Sequence, residues 1–121
     1  MNNYYQNEQE IGAVIKGFEE CTIGKNEFTH LCHLTVAVYY LRNSNPDQAF
    51  EKMRAGLLRF LDHHGVGRAK YKDQLTLAWI TLTQSLLEQM GAGLSLLEVT
   101  NVVLERLGNY RIPINEPEDN I

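Results

Sequence analysis

LTVAVYYL, residues 34–41, carries no charge and almost no polar group. Thr, Val and Tyr favour strands, and a short apolar run looks alike in a buried strand and a buried helix. Its surroundings decide for a helix. Upstream, NEFTHLCHL (residues 26–34) opens as an amphipathic helix, with Asn26 as N-cap, Glu27 in the first turn and Phe28, Leu31 and Cys32 on a core face. Downstream, Asn43-Ser44-Asn45-Pro46 is a stop signal. No second strand-like segment exists for it to pair with. A helix over 27–42 is therefore predicted, and one apolar nearly all round is central, covered on several sides.

Working outward, Ile11, Val14, Ile15 and Phe18 recur at helical spacing and predict a first helix over 8–21. The third starts at the Asn45 cap with Pro46 at its first position and Asp47 in its first turn. Phe50, Met53, Leu57, Phe60 and Leu61 form its core stripe, and Gly65 ends it just after His63 and His64. A fourth helix over 71–90 has the stripe Leu75, Trp79, Leu82, Leu86 and Met90, widened by Ile80 and Leu87. The fifth opens on a capping box, Ser95 with Glu98 three residues on. Leu96, Val99, Val103 and Leu107 are its core face, and Gly108 ends it. Breaks this short favour antiparallel neighbours. The expectation is a single all-α domain over 1–121, a compact bundle of about five mostly antiparallel helices. The second and fourth are expected innermost, the core spans roughly 8–108, and 109–121 forms a tail that includes the acidic stretch NEPEDNI.

Composition narrows the function. With 121 residues, 44% hydrophobic, 21% charged and a net charge of -4, the chain reads as an ordinary globular domain without the basic footprint of a nucleic-acid binder. Lys and Arg read as scattered, so an anionic membrane surface is not expected as a partner either. No apolar run is long enough to span a bilayer. MNNYYQNEQE lacks the basic and apolar regions of a signal peptide. Cys21 and Cys32, with no CxxC spacing, read as reduced core thiols. A cytoplasmic protein is expected.

The residue types with chemistry gather in NEFTHLCHL. Glu27-Phe28-Thr29-His30 has the E-x-x-H spacing of carboxylate-bridged di-iron bundles, but those use the motif twice and the chain holds one copy. His30 and His33, one turn apart, suit a shared metal only with a third ligand, and Cys32 points to a different face. His63 and His64 are the other histidines, at the end of a helix that returns towards His30 if the second and third helices form a hairpin. With no assured third ligand, no metal and no cofactor are assigned. A helix N-terminus disfavours the imidazolium, so both rings are expected neutral. No nucleophile motif and no phosphate-cradling loop occur, and no catalytic residue is assigned. Tyr39, Tyr40, Tyr71 and Trp79 read as core.

Over roughly residues 28–107 the chain resembles a group of small, uncharacterised bacterial helical proteins with an F-T-H-x-x-H-L motif, followed by a Y-H-x-T-x-T motif and a nearby Trp. The first motif is present as Phe28, Thr29, His30, His33 and Leu34. The second departs: Tyr71, Lys72, Asp73, Gln74, Leu75 and Thr76, with Trp79 after it. Lys72 stands where the group has His, and a charged lysine offers no lone pair to a metal. The resemblance implies a helical fold with a polar cluster between the second and fourth helices, and it attaches no activity. These lines converge on a binding module for a small molecule or a protein, with a polar pocket of His30, His33, Tyr71, Lys72 and Asp73. The alternatives are an enzyme or metal-binding protein using the His30–His33 pair, or a structural partner in a homodimer.

Overall fold

In a computed structural model, which describes residues 4–112, the chain is all-helical. The helices are α1 (Glu8–Glu19), α2 (His30–Asn43), α3 (Pro46–His63), α4 (Asp73–Met90) and α5 (Leu96–Leu107), with a 3-10 turn at Arg68–Lys70 ahead of α4. No strand occurs among the described residues. NEPEDNI lies outside them.

LTVAVYYL is helical and central. All of its residues are buried except the half-buried Tyr39, and α2 packs against each of the other four α-helices. Its few buried polar groups find partners, as burial requires. The Thr35 hydroxyl donates to the Leu31 carbonyl at 2.8 Å, and the Tyr40 hydroxyl donates to the Glu19 carboxylate at 2.6 Å. One side of α2 faces α1 and α3 through Val36, Ala37, Tyr40 and Leu41, and the other meets α4 and α5 through Leu34 and Val38. The expected second inner helix does not hold up equally. α4 buries Leu75, Thr76, Trp79, Ile80 and Thr83, but Leu77 is 52% exposed and Gln74, Thr81 and Ser85 face solvent.

The capping signals mark real boundaries. Asn45 accepts from the Gln48 N–H at 2.8 Å, and both halves of the Ser95–Glu98 box are formed. At the start of α2 the chain does otherwise. The helix begins at His30 behind Thr29, not behind Asn26. Residues 24–28 turn first, with the Glu27 carboxylate accepting from the Gly24 N–H at 3.2 Å. The turn delivers Phe28 into a ring stack, 4.8 Å from Phe18 and 5.0 Å from Phe60 between centroids. Leu31 and Cys32 are half-buried, and His33 takes the fully inward place. α1 also stops short of the expected 21, and Cys21 adopts a left-handed φ of 59°. In α3 the small Ala49 is buried while Phe50 is half-buried. Gly56 lets α3 approach Phe18 so closely that an added Cβ would fall 2.5 Å from the ring.

Candidate functional site

His30 and His33 occupy the first turn of α2 and look into the seam between α2 and α4. The His30 ring packs on the Trp79 indole, centroids 4.4 Å apart, and Trp79 in turn meets Tyr110 edge-on at 6.2 Å. His30 Nε2 lies 3.2 Å from the Leu107 carbonyl. A carbonyl only accepts, so Nε2 carries the proton and Nδ1 keeps the lone pair in the neutral ring. The bond serves one of the last carbonyls of α5, which has no partner within its own helix. Burial lowers the His30 pKa, the bond to Leu107 works against that, and the nearby Arg111 charge lowers it further.

His33, one turn on, is 7% exposed, with its ring 5.7 Å from Phe28. Burial pushes its imidazole down to about 4, with the His30 charge as a lesser cause. Both histidines border one cavity of about 10 Å³, closed by Leu34 and Ala37 of α2, Met53 of α3, and Thr76, Trp79 and Ile80 of α4. A volume of ~10–15 Å³ on this measure admits one water. Besides Trp79, the residues with polar side chains among its lining are His30, His33 and Thr76.

Of the five residues expected in the pocket, the fold brings only His30 and His33 to this cavity. Tyr71, Lys72 and Asp73 sit where the chain enters α4 and do not line it. Tyr71 is half-buried beneath the Arg54 guanidinium, 5.9 Å from ring centroid to Cζ. Burial pushes its hydroxyl pKa up to about 12, with the neighbouring Thr76 hydroxyl working against that and the Asp73 carboxylate adding to it. Lys72 is exposed at the N-cap position, where its carbonyl accepts from the Thr76 N–H at 3.1 Å. Asp73 is exposed and pairs with Arg54 at 3.1 Å. Thr76, Trp79 and Ile80 line the cavity instead. They follow Lys72 at helical spacing, so the period of α4 continued one turn further inward would have found them. Met53 gave no such signal, because its place follows from how α3 crosses α2.

His63 and His64, considered as further ligands, meet edge-on at 4.9 Å, and His64 packs on Phe60 at 4.4 Å. Among the described residues, no three His, Cys, Asp or Glu side chains are grouped so as to hold a metal ion. No described helix is long and apolar enough to cross a membrane. No protein-family model, curated protein or solved structure matches the chain.

Proposed function

We propose that this protein is a binding module whose polar site is the His30–His33 cavity. One observation carries the proposal: His30, His33 and Thr76 border a single cavity that is otherwise lined by apolar and aromatic side chains. With His30 Nε2–H held by Leu107, His30 offers an acceptor and His33 both a donor and an acceptor, which suits an uncharged polar group and repays nothing to a buried charge. The volume fits a water or the polar end of a small ligand, with His30, the half-buried member, at the edge. Binding is favoured over catalysis because a general base works best with a pKa near the operating pH, and His33 lies far below it.

The alternative, an enzyme or metal protein built on the pair, has in its favour the placement of both rings one turn apart on one helix. Against the metal reading stands the ligand set, since among the described residues no third His, Cys, Asp or Glu is grouped with the pair. We also propose kinship with the F-T-H-x-x-H-L group. In support, His30 and His33 of the first motif and Thr76 and Trp79 of the second border the same cavity. A cytoplasmic setting is part of the proposal and agrees with two free cysteines.

A thermal-shift screen of small uncharged alcohols, amides and ureas tests the site. A compound that stabilises the wild-type protein and loses its effect in both His33→Leu and Thr76→Val is expected. Hits that act equally on both variants, or none at all, would remove the cavity as a binding site.

A further inference from the structure

Lys and Arg are not scattered. Six of the eleven, Lys52, Arg54, Arg59, Arg68, Lys70 and Lys72, fall within residues 52–72 against one carboxylate, Asp62, so this stretch carries +5. The remaining hundred residues hold five cations against fourteen carboxylates, or -9. The clustering spans a helix, a turn and the entry to another helix, so no single helical stripe displays it.

The fold turns part of this stretch into a groove. Arg54, Ala55, Leu58, Arg59 and Asp62 follow the i, i+1, i+4, i+5, i+8 rhythm of one helix face on the outside of α3. Arg68 is folded back against them by a forked pair to Asp62, with Nε at 3.0 Å and Nη2 at 2.8 Å from Oδ2. With His63 these residues line an open groove of about 650 Å³. None of them lines the His30–His33 cavity. Ala55 and Leu58 supply apolar surface between guanidinium groups. Among the described residues Arg59 has no carboxylate in ion-pair range. The pairs holding Arg54 and Arg68 are solvent-exposed, with Asp73 and Asp62 side chains at 59% and 48% accessibility. Solvent-exposed pairs of this kind are weak, so the arginines can share or exchange their carboxylates at little cost.

We propose that this groove docks an acidic amphipathic segment of a partner protein, with carboxylates about a turn apart on Arg54, Arg59 and Arg68 and apolar side chains over Ala55 and Leu58. Charge complementarity gives the sign of the partner, and the apolar surface between the arginines distinguishes a peptide from a bare anion. A nucleic acid fits less well. From Arg54 to Asp62 the helix face runs only ~12 Å. A polyphosphate carries its charge well beyond that length and would meet the -9 remainder.

The test is fluorescence anisotropy at low salt with three labelled probes. They are a synthetic helical peptide with Glu at i, i+4 spacing and Leu between, its Glu→Gln counterpart, and an oligothymidylate. The Glu peptide is expected to bind at least about tenfold more tightly than either other probe, and Arg59→Glu should weaken it about tenfold. Lys16→Glu on α1 controls for net charge and should leave it nearly unchanged. Absence of Glu-peptide binding would overturn the proposal, as would equal binding of the Gln peptide or preference for the oligothymidylate. Equal effects of Arg59→Glu and Lys16→Glu would do the same. Arg59 is exposed and makes no ion pair among the described residues, so its substitution leaves the core intact.

Discussion

The side-chain amide of Asn101 clasps the backbone of Tyr5. The Tyr5 N–H donates to Oδ1 at 3.0 Å, and Nδ2 donates to the Tyr5 carbonyl at 3.1 Å. The Tyr5 and Thr35 hydroxyls lie 2.9 Å apart, so the segment ahead of α1 is tied to both α5 and α2. Asn101 is buried, at 7% exposure. Asn101→Ala should therefore destabilise the fold by about 1–3 kcal/mol, the cost of leaving buried backbone groups unpaired. Urea titration measures the loss, and amide exchange at Tyr5 should accelerate in the same variant. An unchanged midpoint would mean the clasp contributes nothing.

Trp79 is 7% exposed and held between His30 and Tyr110. Trp79→Ala should cost on the order of 3–5 kcal/mol, the usual range for removing a large buried aromatic. The native emission should be blue-shifted and poorly quenched by acrylamide. Emission resembling that of free indole in water would contradict the burial.

How far the fold could be read in advance depended on whether a signal was local. Asn45, Pro46, Ser95 and Glu98 act on groups within one turn, and those helix starts are where the sequence places them. Asn26 failed because the competing influence is distant. Phe28 belongs to a stack with Phe18 and Phe60, and no pattern within residues 26–34 reveals that. The N-terminal strap was equally hidden, since its bonds to Asn101 run across the whole chain. At the site, the histidine pair was legible and its neighbours were displaced by one turn, from Lys72 to Thr76. The charge clustering was present in the residue counts, but it divides between α3 and the turn after it.

Stability should fall on acidification in a way traceable to His33. Above its ordinary value near 6.5, neither the folded nor the unfolded ring is protonated, and this residue adds no pH dependence. Between there and about 4, the unfolded chain takes up a proton that the folded His33 refuses. Stability then drops, by ~3 kcal/mol in total, and levels off once both states are protonated. Carboxylates titrate in the same range, so the comparison is with His33→Leu. Melting temperatures from neutral pH down to about pH 4 should decline more steeply in the wild type. Parallel curves would show that His33 is not kept neutral by the fold.

Gly56→Ala should destabilise the protein although alanine is the better helix former. The propensity gain is ~1 kcal/mol, but the new methyl would fall 2.5 Å from the Phe18 ring. That ring is fully buried and stacked on Phe28, so it has little room to yield. Overpacking of this kind costs ~1–3 kcal/mol. A net loss is expected by thermal denaturation, and Phe18→Leu combined with Gly56→Ala should lose less than the two single changes added together.

Zinc should not stabilise the protein. No third ligand is grouped with the His30–His33 pair among the described residues, and two imidazoles alone leave a zinc ion short of its usual four ligands. An equivalent of zinc that raises the melting temperature in the wild type, and not in a His30→Ala and His33→Ala double variant, would contradict this.

The central position of α2 has a consequence for how the molecule comes apart. Each of the other four α-helices rests on α2. Peeling any of them away bares part of the LTVAVYYL surface to water, so partial openings carry a penalty that grows with each helix released. Opening is expected to be cooperative, with the amide protons of residues 34–41 exchanging only through complete unfolding while the ends of α1 and α5 exchange sooner.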